Sequence, residues 1–510
     1  MSVPEWFGHR QAGVLLHPTS LPGPGGIGDL GASSRDWIEW LSRSGSSLWQ
    51  VLPLGPTGYG DSPYQCFSAF AGNTLLISLG DLVENGLLLQ EEWSGSPDYP
   101  DNRVEFGRVI GDKARLLDLV TSYFSDRASP ELKKRFEVFQ MEQAHWLEDY
   151  ALFMALKKVH DDRAWTDWEP KYVGRRRGAL AEARGRLKSQ IESVHVRQFL
   201  FFEQWNALHR RARQAGISII GDVPSFVAHD SADVWANSDL FYLDSSGRPT
   251  VVAGVPPDYF SATGQRWGNP LYRWDAMQNE SYAWWIARLK AALSLVDVVR
   301  LDHFRGFEAY WEVPADAPTA EIGRWVPGPG PKLLEAIQGE VGLLPLIAED
   351  LGVITPEVLA LRDTFELPGM KVLQFAFDSG PENPFLPHNY TRRSVAYTGT
   401  HDNDTSIGWF ESAPEAEREY CQRYLISDGT EIAWDLIRAT WASVANWAVA
   451  PLQDMLSLDS QGRMNYPGRS EGNWSWRVRQ EQLTSETADR LRNLSRLYGR
   501  LVPASKRDDG

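Results

Sequence analysis

The chain is poor in cysteine. Among its 510 residues only Cys66 and Cys421 are cysteines, and they lie too far apart to suggest a disulfide framework or a Cys-x-x-Cys metal cluster. A reducing compartment fits such usage. Basic residues are also in the minority: 51 Lys and Arg against 67 Asp and Glu leave a formal net charge of −16, which disfavours nucleic acid or an anionic membrane as partner. No run of about eighteen apolar residues occurs, and Met1–Arg10 lacks the apolar core of a signal peptide, so the expected location is the cytoplasm. Three sequence signatures are missing as well: the phosphate loop Gly-x-x-x-x-Gly-Lys-Ser/Thr, the zinc motif His-Glu-x-x-His and the nucleophile elbow Gly-x-Ser-x-Gly. Each absence removes the best evidence for one class of enzyme.

Apolar residues, by contrast, make up 43% of the chain, enough to bury a large core. They gather in short runs that end in polar or charged residues, the pattern of parallel strands buried on both faces. Eight such runs occur: Gly13–His17, Ser47–Leu54, Ile217–Pro224, Val296–His303, Pro345–Asp350, Lys371–Phe377, Val395–Asp402 and Trp447–Asp454. Helical patterns precede most of them, as at Ser281–Leu295 and Gly328–Val341. The alternation predicts an α/β fold, a (β/α)8 TIM barrel. Amphipathic stretches at Lys113–Phe124, Tyr150–His160 and Val196–Gln214 predict long helical insertions. The expected organisation is one catalytic domain over residues 1–504, with helical insertion subdomains at about 55–215 and 230–280. A disordered tail is expected over 505–510, and no C-terminal β-sandwich is expected, since the stretch after Asp454 is too short for one.

In such barrels the loops after the strands converge on one face and carry the chemistry. Here three carboxylates stand at strand ends: Asp302, Glu349 and Asp402. Side chains alternate along a strand, so Arg300 and Asp302 share a face, and the guanidinium favours an ionised Asp302, a nucleophile. Glu349 suits the acid, its proton held by burial and by repulsion from the two aspartates. Asp402 would steady the charge developing on a sugar ring, with His401 and His303 donating hydrogen bonds nearby. That chemistry needs neither metal nor cofactor. One strand-end carboxylate is as readily a helix cap or a salt-bridge partner, and either histidine alone is as readily structural. Three acids at strand ends, two of them beside histidines, are harder to explain that way.

The strings Val299–Gly306 (VRLDHFRG), Ile347–Gly352 (IAEDLG) and Tyr397–Asp404 (YTGTHDND) resemble those of the amylomaltase, or 4-α-glucanotransferase, family. The resemblance extends to Ala12–Leu21, to Leu48–Asn73 with Pro53–Tyr64 (PLGPTGYGDSPY), to Gly221–Pro224, to Arg463–Gly468 and to Gly472–Trp476, nearly the whole chain. It implies transfer of α-1,4-glucan segments between maltooligosaccharides through a covalent glucosyl-enzyme, with Asp302 as nucleophile, Glu349 as acid/base and Asp402 as stabiliser. It also implies that Asp222 and Arg300 support the acids. Tyr259, Phe260, Gln265 and Trp267 would form a loop over the bound glucan, and Tyr59, Asp378 and Asn465 would touch it. Cys66, Thr74 and Ser225 depart from the family pattern without touching the acids.

Of the 22 Trp, most belong to the core, and only those in loops beside the acids are candidates for sugar contact. Trp267 and Tyr259 qualify, in Gly254–Pro270, which reads as a long functional loop after the third strand. Gly26–Gly31 (GIGDLG) matches a dinucleotide fingerprint, but its glycines do not directly follow the first run, and the second run ends without the acidic residue. An α-amylase-type hydrolase would use the same acids yet usually carries a β-rich C-terminal domain. A non-catalytic glucan-binding protein has little reason to keep all three.

Overall fold

The computed structural model describes residues 4–94, 98–257, 261–469 and 471–501. Eight parallel strands close into a barrel: Gln11–Leu15, Leu48–Gln50, Ser218–Val223, Val298–Leu301, Leu346–Ala348, Gly369–Val372, Ser394–Tyr397 and Trp447–Pro451. Each pairs with its neighbours in chain order, and Gln11 opposite Trp447 closes the ring. All eight apolar runs supply a barrel strand, because a strand covered by side chains inside and helices outside has no face left for water.

The sixth strand is displaced from its expected position. It starts at Gly369, and Leu373–Phe375 is already a 3-10 turn. The run continues apolar to Phe377 for a different reason. Leu373, Ala376 and Phe377 pack into a satellite core with Leu386, Cys421, Leu425 and Leu436 outside the barrel.

Between the second and third barrel strands the described residues from Leu79 onward are mostly helical, and the longest element is Lys188–Gln214. Its 27 residues span about 40 Å. Phe199, in its first half, packs against Phe124, Phe136 and Phe139 of the insertion. In its second half Trp205 donates its indole N–H to Leu295 O, 2.8 Å away, on the helix Ala283–Leu295. One hydrophobic core therefore runs from the insertion into the barrel wall, including Phe199, Trp205 and Ile219.

The 230–280 stretch departs from its expected helical character. Beside the short helices Ala232–Ala236 and Trp274–Asn279 it holds the strands Val251–Val255 and Gln265–Pro270. These join Ala309–Pro314 and Arg324–Pro327, from beyond the fourth barrel strand, in a four-stranded antiparallel sheet. Gly254–Pro270, expected to be a loop, thus holds the end of one of these strands and all of the other. Glycines conceal them: Gly264 has φ +66°, and a Cβ there would lie 2.4 Å from Val255 O. Among the described residues no strand follows Pro451; the helices Leu452–Met455 and Ser485–Leu497 lie there instead.

Barrel closure depends on close backbone approach at Gly13, where a Cβ would meet Leu48 O at 2.3 Å and Leu48 Cβ at 2.4 Å. Gly13→Ala should therefore destabilise the fold by about 1–3 kcal/mol, through strands forced apart. Denaturant titration would read this as a lower midpoint at constant slope, and an unchanged midpoint would contradict the packing argument.

Candidate active site

The fourth strand places Arg300 inside the barrel, with 3% of its side chain exposed, and Asp302 follows directly at the mouth. One terminal nitrogen of the guanidinium donates to Asp302 Oδ1 at 2.9 Å and the other to Asp222 Oδ2, at the end of the third strand, at 2.5 Å. Asp222 Oδ2 also accepts from the Tyr64 hydroxyl at 2.8 Å. The Tyr64 ring in turn stacks on His401, centroids 5.1 Å apart and planes 15° from parallel. His401 Nε2 stands 3.3 Å from Asp402 Oδ2. A continuous line of contacts thus joins the loops after the second, third, fourth and seventh strands.

The chain turns sharply after Asp302, since His303 adopts a left-handed conformation, φ +49°. Such backbone costs a non-glycine residue on the order of 1–3 kcal/mol and persists only where surrounding contacts fix it. Here it aims the His303 N–H at Glu349 Oε2, 2.7 Å away, while Phe304 N donates to Glu349 O at 3.1 Å. Glu349 Oε1 accepts from Leu351 N at 2.9 Å. Asp402 Oδ1 accepts from Asn465 Nδ2 at 2.6 Å, and its backbone oxygen accepts from Arg463 at 2.9 Å.

Burial sets the protonation of the acids. Removed from bulk water, the Glu349 carboxyl is pushed up to about 8; Arg300 opposes this, the charge of Asp302 adds to it, and the two backbone N–H donors oppose it again. Burial also raises Asp302, to about 7, against the pull of Arg300 and with the repulsion of Asp222 and Asp402. The guanidinium expected to ionise Asp302 is in place and opposes the rise without reversing it. Burial holds His303 down to about 3 and lowers His401, so both rings are neutral.

Of the residues singled out from the sequence, the structure brings Asp222, Arg300, Asp302, His303, Glu349, His401, Asp402 and Asn465 into this network. Trp267 joins them edge-on to His303, centroids 4.8 Å apart, and donates its indole N–H to Gln265 Oε1 at 3.2 Å. His303 Nε2 is buried without a partner among the described residues. Two others stand apart. Tyr59 is 77% exposed on the turn Tyr59–Asp61, and exposed Asp378 accepts from Asn383 Nδ2 at 2.9 Å; among the described residues neither bonds to the acids. Tyr259 and Phe260 lie outside the described residues.

Sequence reasoning passed over Tyr64, Arg463 and Trp474. The Trp474 ring packs against Tyr64 and His401, at 5.8 and 6.0 Å, from a left-handed backbone of φ +62°. All three lie inside strings that resembled the family, but nothing local distinguishes them from core residues.

Comparison with known proteins bears on this arrangement. The 4-alpha-glucanotransferase family model of glycoside hydrolase family 77 matches residues 16–484. A 4-alpha-glucanotransferase of Thermus thermophilus is 54% identical, covering 96% of this chain and 99% of the relative. One of Synechocystis sp. is 48% identical over 97% and 98%. The solved amylomaltase of Streptococcus agalactiae in complex with acarbose superposes with a TM-score of 0.94 at 37% identity, covering 97% of this chain and all of that one. With a family match over nearly its whole length and relatives this similar from end to end, the chain belongs to the 4-alpha-glucanotransferase family.

Proposed function

We propose that this enzyme transfers α-1,4-glucan segments between maltooligosaccharides by double displacement with retention, using Asp302, Glu349 and Asp402. The observation that carries the assignment of roles is the difference between the partly exposed carboxyl of Asp302 and the buried one of Glu349. Asp302 accepts directly from the Arg300 guanidinium, whereas among the described residues Glu349 accepts only from backbone N–H groups. The first therefore has the stronger support for negative charge, and the second is the better proton donor.

In the first step Asp302 attacks the anomeric carbon through the oxygen that Arg300 leaves free. The glycosidic bond breaks, and Glu349 gives its proton to the departing oxygen. In the second step the 4-hydroxyl of an acceptor glucan attacks the same carbon, its proton passes to the Glu349 carboxylate, and the bond to Asp302 breaks. Asp402, held by Asn465, steadies the positive charge on the ring in both transition states. His303 Nε2 and Trp267 are available for sugar hydroxyls and ring faces, and an acceptor filling the cleft keeps water from the intermediate.

Donor and acceptor are both soluble glucans. The two free cysteines support work in the cytoplasm, on the glucans of starch, glycogen or maltose metabolism. Among the described residues no helix is long and apolar enough to cross a membrane.

Incubation with maltotriose alone should yield glucose together with a ladder of longer maltooligosaccharides. Accumulation of glucose and maltose without the ladder would favour a hydrolase and overturn the transfer reading. Glu349→Gln should lower kcat on maltotriose roughly 10²–10⁴-fold. Its first step should slow far less on an α-glycosyl fluoride, whose leaving group needs no proton, and first-turnover fluoride release reads that step. Activity needs Asp302 ionised and Glu349 protonated, so the wild type should lose rate as pH falls through the raised Asp302 value and as pH rises through the Glu349 value. With the fluoride, Glu349→Gln should keep the acidic limb of the profile and lose the alkaline one. Persistence of the alkaline limb would assign it to another group.

A further inference from the structure

Asp402 is held by hydrogen bonds more than by packing, for 47% of its side chain is exposed. Its grip comes largely from the segment that follows the eighth strand. Asn465 Nδ2 holds the carboxylate at 2.6 Å, and Arg463 stands behind both residues. The Arg463 guanidinium donates through Nη2 to the backbone oxygen of Asp402 at 2.9 Å and through Nε to that of Asn465 at 2.7 Å. Its plane covers the Tyr466 ring, 4.4 Å from the centroid. Tyr466 is fixed by its hydroxyl donating to Ser460 O at 3.1 Å, and by its N–H donating to Asn473 Oδ1 at 2.9 Å.

A plain structural role would be an ion pair with Asp404. That contact is long, 3.7 Å between Nη1 and Oδ2, and partly exposed pairs of this kind contribute little. The two carbonyl bonds are much shorter, and they end on the main chain of the carboxylate and of the residue that grips it. A planar fork can serve both carbonyls at once, which the single ammonium of lysine cannot do in the same geometry.

We propose that Arg463 is a positioning residue for Asp402, fixing the carboxylate through its own backbone and through the Asn465 amide. The proposal rests on the role given to Asp402 above. A carboxylate that acts only on the charge of the transition state should, when displaced, reduce turnover more than substrate binding.

The test compares wild type, Arg463→Ala and Arg463→Lys on maltotriose, with and without millimolar guanidinium, together with each protein's thermal midpoint. Arg463→Ala should lower kcat on the order of 10–100-fold, leaving KM within about twofold. Guanidinium should restore part of the lost rate, and lysine should restore little. A kcat for Arg463→Ala within twofold of wild type overturns the proposal. So does a loss that tracks a lowered midpoint and ignores guanidinium, which makes the residue structural. Should Arg463→Ala fail to fold, Arg463→Gln carries the same comparison. If the wild type makes no longer glucans, the transferase reading fails by itself, while glucose release still ranks the variants and judges Arg463.

Discussion

A guanidinium buried in the barrel and shared between two carboxylates, Asp222 and Asp302, is the contact around which the mouth is arranged. Moving such charges out of water costs several kcal/mol per ion, and the cost is offset only where the geometry is good and the remaining donors and acceptors are met. Arg300 meets it with bonds of 2.5 and 2.9 Å. Asp222 Oδ2, in the shared bond, also accepts from the Tyr64 hydroxyl, while Oδ1 is buried with no partner among the described residues. Through the stacking of Tyr64 on His401 the same contact reaches the loop of Asp402. The acids stand where they do because the ion pair tolerates few alternatives.

The same crowding explains why two neighbouring carboxyls can play opposite parts. Burial raises both, and like charge keeps both from ionising readily together. What separates them is local: a cation touches Asp302, and peptide dipoles touch Glu349. The left-handed turn at His303 helps create that difference, because it swings a backbone N–H onto Glu349 immediately after the nucleophile has been placed.

Much of this was legible in the sequence. Buried parallel strands announce themselves as apolar runs, so all eight barrel strands were found, and the acids at their ends followed from the architecture. The error at the sixth strand arose where a second apolar environment, around Phe377 and Cys421, extended the run beyond the barrel. The four-stranded sheet escaped notice because two of its strands contain glycine, Gly254 and Gly268, and its edge Arg324–Pro327 is mostly exposed. Tyr64 and Arg463 were invisible for another reason. Their significance lies in partners far away in the chain, Asp222 for Tyr64 and Asp402 for Arg463, and no local pattern encodes such pairings.

The central claim is that Asp302 forms the covalent bond to the sugar, and trapping tests it most directly. Glu349→Gln would be treated with a maltosyl α-fluoride that lacks its non-reducing-end 4-hydroxyl, so that the donor cannot serve as acceptor, then digested, and its peptides weighed. The account predicts that the peptide containing Asp302 gains the mass of one such deoxymaltosyl group, with fragmentation placing it on that residue. A label on another residue, or fluoride release with no labelled peptide although the intermediate should be long-lived, would contradict it.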